Sequence, residues 1–182
     1  MLNIVAVSGS LQKASCNTGL LRTLVAHNHK LINIDVVSIA DFSLFSEDIE
    51  KVGVPEAVKK VADKVRAADG IIFAIPEYNA SVSSPLKNAY DWLSRGGDKA
   101  AVYQKPVAFV SAGLNGGSAA QTQMKDVIQY CKLKLMENPK VQIPRFQPGN
   151  FGEDGSLINK SLADDLLLFL DAFAAFVKKN KA

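Results

Sequence analysis

The segment Gly70 to Ile75 is apolar at every position after its glycine and is stopped by Pro76. A strand with one wet face alternates polar and apolar side chains; a strand apolar throughout is covered on both faces, as in a parallel sheet flanked by helices. That run therefore reads as the central strand of an α/β sheet. The rest of the chain supplies the matching alternation. Leu2 to Val7 is a β-branched run followed, after a polar loop, by Gly19 to His27, where Leu20, Leu21, Leu24 and Val25 fall at helical spacing. Asn33 to Ile39 reads as a second strand, and after an irregular segment, Asp41 to Gly53, Pro55 opens a helix with Val58, Val61, Ala62 and Val65 on one face. Ser84 and Pro85 offer an N-cap and a first-turn proline for a helix through Leu86, Ala89, Tyr90 and Leu93, which Gly96 and Gly97 stop. Pro106 to Ala112 is a fourth strand and Ser118 to Cys131 a fourth helix. Leu133 to Ile143 holds a fifth strand whose limits Pro139 and Pro144 leave open. Leu162, Leu166, Phe169, Leu170, Phe173 and Val177 form the stripe of a last helix.

Five strands alternating with five helices require a parallel sheet with right-handed crossovers, and the economical architecture is a three-layer, doubly wound α/β domain. With 182 residues, no internal repeat and no low-complexity linker, the expectation is a single domain over residues 1–182. Hydrophobic residues make up 48% and charged residues 21%, which excludes a disordered chain. No apolar run approaches the roughly 20 residues of a membrane-spanning helix. Met1 to Val7 lacks a basic leader region and turns directly into the polar segment Ser8 to Asn17, so the expectation is a cytoplasmic protein without a signal peptide. Cys16 and Cys131 form no C-x-x-C pattern and read as structural. The net charge of +3 is spread along the chain, and its one tight cluster, Lys178, Lys179 and Lys181, complements the negative end of the last helix. Neither nucleic acid nor membrane is expected as a partner.

In such a sheet a ligand binds beyond the carboxyl ends of the strands, where the strand order reverses, so the loops after the first, third and fourth strands matter most. The first, Ser8 to Thr18, runs from a buried strand into a helix N-terminus and is rich in hydroxyl and amide groups. Free backbone N–H groups and the helix dipole there favour an anion, and Ser10, Ser15 and Asn17 add donors; Ser15 followed by Thr18 also suits a plain helix cap. No G-x-G-x-x-G follows the first strand and no G-x-x-x-x-G-K-[ST] occurs, which argues against a Rossmann dinucleotide site and a P-loop. The second loop, Pro76 to Ser84, sets Tyr78 beside Glu77, Asn79 and several hydroxyls, a composition suited to a flat ligand with a polar edge. The third, Ser111 to Ser118, contains Gly113, Gly116 and Gly117, which allow close backbone approach.

These residues carry a resemblance. Ser8-Gly9-Ser10-Leu11 with Ser15 and Asn17, then Pro76-Glu77-Tyr78-Asn79, then Leu86-Lys87-Asn88-Ala89 with Asp91-Trp92, and finally Gly113, Gly116 and Gly117 resemble the NADPH-dependent FMN reductase family. Its members include bacterial quinone, chromate and azo-dye reductases. The resemblance runs from residue 2 to about residue 130, and the combination of its first two motifs is its most specific part. It implies a flavodoxin-like fold with strand order 2-1-3-4-5, non-covalent FMN, and electron transfer from NADPH or NADH to a small acceptor: a quinone, free flavin, azo compound or chromate. It implies that Ser10, Ser15 and Asn17 hold the FMN phosphate, with Ser8, Gln12 and Cys16 in the same loop. Pro76, Glu77, Tyr78 and Asn79 line the ribityl chain and ring, and Ser111, Gly113, Gly116 and Gly117 close the other side. Two departures stand out. Family members usually carry Arg where this chain has Gln12, and Lys13 is a flexible point charge that does not reproduce a guanidinium fork. They also often place Pro-Gly where this chain has Ser83-Ser84.

A flavin performs the difficult chemistry itself, so no catalytic acid or base is required of the protein. His27 and His29, at the end of the first helix, are expected to be exposed, and two imidazoles alone make a poor metal site. Gly116-Gly117-Ser118-Ala119-Ala120 approximates a nucleophile elbow, but both histidines precede Ser118, whereas the hydrolase order needs one after it. The competing reading is a flavin-binding electron carrier or redox-responsive protein without its own NAD(P)H oxidase activity. Gln12 favours that alternative; the isoelectric point of 8.8 and the Ser-Gly-Ser opening disfavour it. A homodimer or homotetramer is implied by the resemblance, with the region of Tyr90, Trp92 and Leu93 as its candidate interface; a core position for Trp92 is the equal alternative.

Overall fold

The computed structural model describes residues 1–181. In chain order its elements are β1 (Leu2–Ser8), α1 (Cys16–Ala26), β2 (Ile32–Val37), α2 (Glu47–Val52), α3 (Glu56–Ala67), β3 (Gly70–Ala74), β4 (Glu77–Tyr78) and β5 (Ser81–Val82). There follow α4 (Ser84–Leu93), β6 (Pro106–Gly113), α5 (Ser118–Gln129), β7 (Lys134–Leu135), β8 (Val141–Pro144) and α6 (Lys160–Asn180). The main sheet is parallel, with order β2-β1-β3-β6 and a fifth position shared by β7 and β8, both paired with β6. This is the flavodoxin-like 2-1-3-4-5 order that the resemblance implies, on the parallel sheet that the alternation requires.

Strand geometry explains the two hydrophobic cores. Successive side chains point to opposite faces, so Val5, Val7, Ile71, Phe73, Val107 and Phe109 meet α3, α4 and α5, while Ile4, Ala6, Ile72, Ala74, Ala108 and Val110 meet α1 and α6. β1, β3 and β6 are buried almost throughout, which is why their sequences do not alternate. Among the described residues, no helix is long and apolar enough to cross a membrane.

Several expectations are corrected. The fifth strand is two short pieces, one opposite the start of β6 and one opposite its end, because the chain leaves the sheet between Leu135 and Val141. The irregular stretch from Asp41 to Gly53 contains α2, capped by the Ser46 hydroxyl, which accepts from Asp48 N–H at 3.2 Å, and begun by acidic residues that suit a helix N-terminus. The N-cap of α4 is Ser83, one residue earlier than read, because its hydroxyl donates to the Gly9 carbonyl at 2.8 Å and fixes the helix start against the first loop. Tyr90, Trp92 and Leu93 are buried within the chain, not displayed for a partner. The segment before α2 folds over them: the Trp92 indole donates to the Ser43 carbonyl at 2.8 Å and meets the Phe45 ring edge-on. The histidines are not free in solvent either. His27 Nε2 lies 2.8 Å from the Ala163 carbonyl, and His29 Nε2 lies 2.9 Å from Asp171, its side chain only 7% exposed, because α6 packs across the end of α1.

Candidate functional site

The carboxyl ends of β1, β3 and β6 deliver three loops to one edge of the sheet. The first is drawn tightly against the second. Gly9 N–H donates to the Ala74 carbonyl at 2.9 Å, and a Cβ on Gly9 would sit 2.7 Å from Pro76 Cδ and 2.8 Å from Leu86 Cβ, so no larger residue fits. Ser8 Oγ lies 2.8 Å from Thr18 Oγ1 and accepts from Ser10 N–H at 3.3 Å. Ser15 caps α1, its hydroxyl accepting from Thr18 N–H at 3.3 Å. Asn17, buried in the first turn, clamps α1 to the end of β6. Its Nδ2 donates to the Ala112 carbonyl at 2.9 Å and its Oδ1 accepts from Ala112 N–H at 3.0 Å. The first-turn amides at Cys16 and Asn17 belong to the N–H groups that a helix leaves without an intrahelical acceptor.

The second loop is a hairpin, which the sequence reading did not resolve. β4 and β5 pair antiparallel through the two-residue turn Asn79-Ala80, both with left-handed φ of +51° and +54°. Such turns match the twist of the flanking strands. The hairpin is tied to α5: Glu77 Oε2 accepts from Ala120 N–H at 3.0 Å, and Gln123 Oε1 accepts from the Ser81 hydroxyl at 2.7 Å and from Val82 N–H at 2.8 Å. Glu77 thus acts on the N-terminus of α5, where its charge complements the helix dipole.

In the third loop Gly116 and Gly117 take φ of +69° and +78°, and a Cβ on Gly116 would lie 2.7 Å from the Gln142 backbone. The loop is held from below by fully buried Ser111, whose hydroxyl donates to the Gly116 carbonyl and accepts from Gln121 Nε2 at 2.8 Å. The same Gln121 nitrogen reaches the Val141 carbonyl at 2.9 Å. A fourth segment, after β8, completes the rim. Arg145 N–H donates to the Gly113 carbonyl at 2.9 Å, and Gly155 packs so closely that its Cβ would lie 2.7 Å from the Ala14 carbonyl oxygen. The turn around Gly155 is closed by Asp154, whose carboxyl is held below the usual carboxylate range by hydrogen bonds from the Ser156 hydroxyl and amide.

These loops enclose two adjoining clefts that share Ser10, Gln12 and Tyr78. The larger, about 570 Å³, runs between the first loop and the hairpin past Leu11, Asn79, Val82 and Pro85. The smaller, about 200 Å³, lies between the first and third loops. It brings together Ser15, Cys16 and Asn17 with Pro76, Glu77 and Gly113. Ser8, Ser111, Gly116 and Gly117 line neither cleft and instead shape the loops that do. The smaller cleft also contains Leu114, Arg145 and Phe146, none of which the sequence reading selected. The donor set fits a ligand with an anionic polar end and a flat body: hydroxyls, amides and Arg145 at one end, a half-exposed tyrosine and aliphatic side chains along the other.

The family model of NADPH-dependent FMN reductases matches residues 2–148. The chain belongs to that family. This reductase is an oxidoreductase that uses FMN with NADPH or NADH. It is 39% identical over 190 residues to "Probable NADPH:quinone oxidoreductase 1" of Oryza sativa subsp. japonica, covering 99% of this chain and 95% of that one. It is 33% identical to "Quinone reductase" of Escherichia coli (strain K12), covering 99% and 97%. Among solved structures, FerB, a flavoenzyme NAD(P)H:(acceptor) oxidoreductase from Paracoccus denitrificans, superposes with a TM-score of 0.88 at 26% identity, with both chains fully covered.

Proposed function

We propose that the reductase transfers electrons from NADPH, through FMN held in the paired clefts, to a quinone. The observation that carries this reading is the continuity of the two clefts at the point where the strand order reverses: one end is rich in hydrogen-bond donors and the other is open enough to admit a second planar molecule. The curated relatives named as quinone reductases support the choice of acceptor over free flavins, azo compounds or chromate.

In this reading Ser10 and Ser15, with the first-turn amides of α1 and the remaining N–H of Asn17, hold the phosphate, and Gln12 and Cys16 line the same end. Pro76, Glu77, Tyr78 and Asn79 flank the ribityl chain and ring on one side and Gly113 on the other, while Ser8, Ser111, Gly116 and Gly117 fix the loops. FMN, when bound, supplies the hydride acceptor and donor. The protein's part is to orient it, shield one edge and leave the other accessible; no side chain is assigned a proton transfer. The C-terminal helix α6 closes the same sheet that carries the site, which supports one domain over residues 1–182. A cytoplasmic homodimer or homotetramer completes the reading, with its interface on a surface other than Tyr90, Trp92 and Leu93.

The test is an anaerobic titration. Protein reconstituted with FMN is expected to bleach on addition of NADPH and to recover its flavin spectrum when one equivalent of a benzoquinone follows. Flavin that binds but stays oxidised with NADPH present would instead support the electron-carrier alternative, and a protein that takes up no FMN would refute the site.

A further inference from the structure

We infer that Arg145 supplies the cationic contact to a phosphate monoester in the smaller cleft, a charge that neither position 12 nor Lys13 provides. The inference rests on the reading of this cleft as the cofactor site.

Its basis is placement and the absence of any other task. Parallel pairing sets Pro144 opposite Gly113 at the end of β6, and the Arg145 amide bonds the Gly113 carbonyl at 2.9 Å. Arg145 therefore leaves the sheet beside the third loop, and the residue lines the same space of about 200 Å³ as Ser10, Gln12 and Ser15. The chain has four arginines. Arg22 donates to the Asp154 carbonyl at 3.1 Å, Arg66 pairs with Asp63 at 2.7 Å, and Arg95 donates to the Asp91 carbonyl at 2.9 Å. Among the described residues, the guanidinium of Arg145 alone has neither a carboxylate nor a carbonyl partner; it is stacked 4.6 Å from the centroid of the Phe146 ring. Stacking holds the planar group by its face and leaves its N–H edge free for an acceptor. Glu77, the carboxylate of this cleft, accepts from Ala120 N–H and forms no ion pair with Arg145. Lys13 is exposed and lines neither cleft.

A guanidinium fork suits a phosphate monoester, which presents two or more acceptor oxygens and up to two negative charges. Two molecules of the reaction can carry that group to this end of the cleft: FMN through its 5′-phosphate and NADPH through its 2′-phosphate. Riboflavin and NADH are the matching controls, each lacking only the group in question.

The experiment titrates apoprotein with FMN and with riboflavin by quenching of flavin fluorescence, and measures KM for NADPH and NADH on the loaded enzyme. The variants are Arg145→Met, Arg145→Lys and the double variant Arg145→Met with Gln12→Arg. If the partner is the flavin phosphate, Arg145→Met weakens FMN binding by about ten- to a hundredfold, as loss of a charged hydrogen bond does, and leaves riboflavin within about twofold. Gln12→Arg then restores part of the loss, and Arg145→Lys lies between. If the partner is the nicotinamide phosphate, FMN binding holds and KM rises for NADPH but not for NADH. Either pattern sustains the inference. It is overturned if no constant moves, or if riboflavin weakens as much as FMN, since the residue would then act on the ring or the fold. Wild-type protein that binds neither flavin refutes the cofactor site itself, a failure visible before any variant is compared.

Discussion

The two walls of the cleft are built in opposite ways. On the side of α1 and the third loop, polar side chains are buried and satisfied mostly by backbone groups: Asn17, 6% exposed, is bonded to Ala112, Ser111, 0% exposed, to the Gly116 carbonyl, and Gln121 joins Ser111 to the backbone of β8. On the facing side, Tyr78 is 54% exposed and the hairpin turn keeps two non-glycine residues in the left-handed region, tied to α5 through Glu77 and Gln123. A wall whose dipoles are locked by burial needs little reorganisation to receive an anion, so it retains a ligand well. A wall held by a few exposed hydrogen bonds opens locally at low free-energy cost. A flavin enzyme must keep its cofactor while substrates come and go over the ring. In the proposed reading, holding and exchanging fall to different walls.

The largest effect is expected where the buried wall is breached. Asn17→Ala strands both the N–H and the carbonyl of Ala112, and with each buried unpaired group worth roughly 1–3 kcal/mol, the loss is about 3 kcal/mol. Urea unfolding of the apoprotein measures it, and the thermal midpoint falls by roughly 10 °C. A loss under about 1 kcal/mol would mean that this wall is no firmer than the hairpin.

Ser15→Asp sharpens the contrast by separating binding from folding. Aspartate caps a helix as well as serine does, so the Thr18 N–H keeps an acceptor and apoprotein stability is expected to hold within about 0.5 kcal/mol. The added carboxylate repels a phosphate at the same helix end, and FMN affinity falls roughly a hundredfold. Visible absorbance after reconstitution and desalting reads the outcome; a variant that stays fully yellow removes Ser15 from the phosphate site.

How much of this was legible beforehand follows from the same division. The parallel, two-faced sheet was readable because β1, β3 and β6 are apolar over most of their length, a pattern fixed by burial on both faces and visible in any short window; the strand order came from the family resemblance. The first and second loops were readable because their hydroxyls, amides and aromatic ring are contiguous in sequence. Arg145 was not, because its place beside Ser10 and Gln12 is set by the register of Pro144 opposite Gly113 across a parallel sheet. No local pattern encodes that register. Trp92 was left open between a contact for another subunit and a core position because periodicity tells which face of a helix is apolar but not what covers it; Phe45 and Ser43 do. The hairpin escaped notice because Ala80 occupies a turn position where glycine is the usual signal. α2 was the one readable omission, since Ser46 followed by Glu47 and Asp48 is an N-cap with an acidic first turn.

Gln123→Ala tests the exposed wall. The substitution removes the acceptor for Ser81 and Val82, but water replaces it at this exposed position, so global stability should change by less than about 1 kcal/mol. Local opening is what should change: amide exchange at Val82 accelerates severalfold while exchange in β3 does not. If global unfolding shifts as far as it does for Asn17→Ala, the hairpin belongs to the core and the contrast between walls fails.

The smallest effect is the most discriminating, because its sign reports on the turn alone. Ala80 holds φ of +54°, a conformation that costs an L-residue roughly 1–2 kcal/mol and glycine almost nothing. Ala80→Gly removes that strain but gives the unfolded chain more freedom, which opposes it by about 0.4–1 kcal/mol. The difference leaves the variant about 0.5 kcal/mol more stable, a rise of roughly 1–2 °C in thermal midpoint. The opposite sign would mean that the turn is relaxed as it stands, with flanking contacts compensating for its geometry. A gain in stability accompanied by a lower KM for quinone would indicate that the strain keeps the hairpin ajar. A gain with KM unchanged would confine Ala80 to shaping the turn and leave substrate exchange to the opening governed by Gln123.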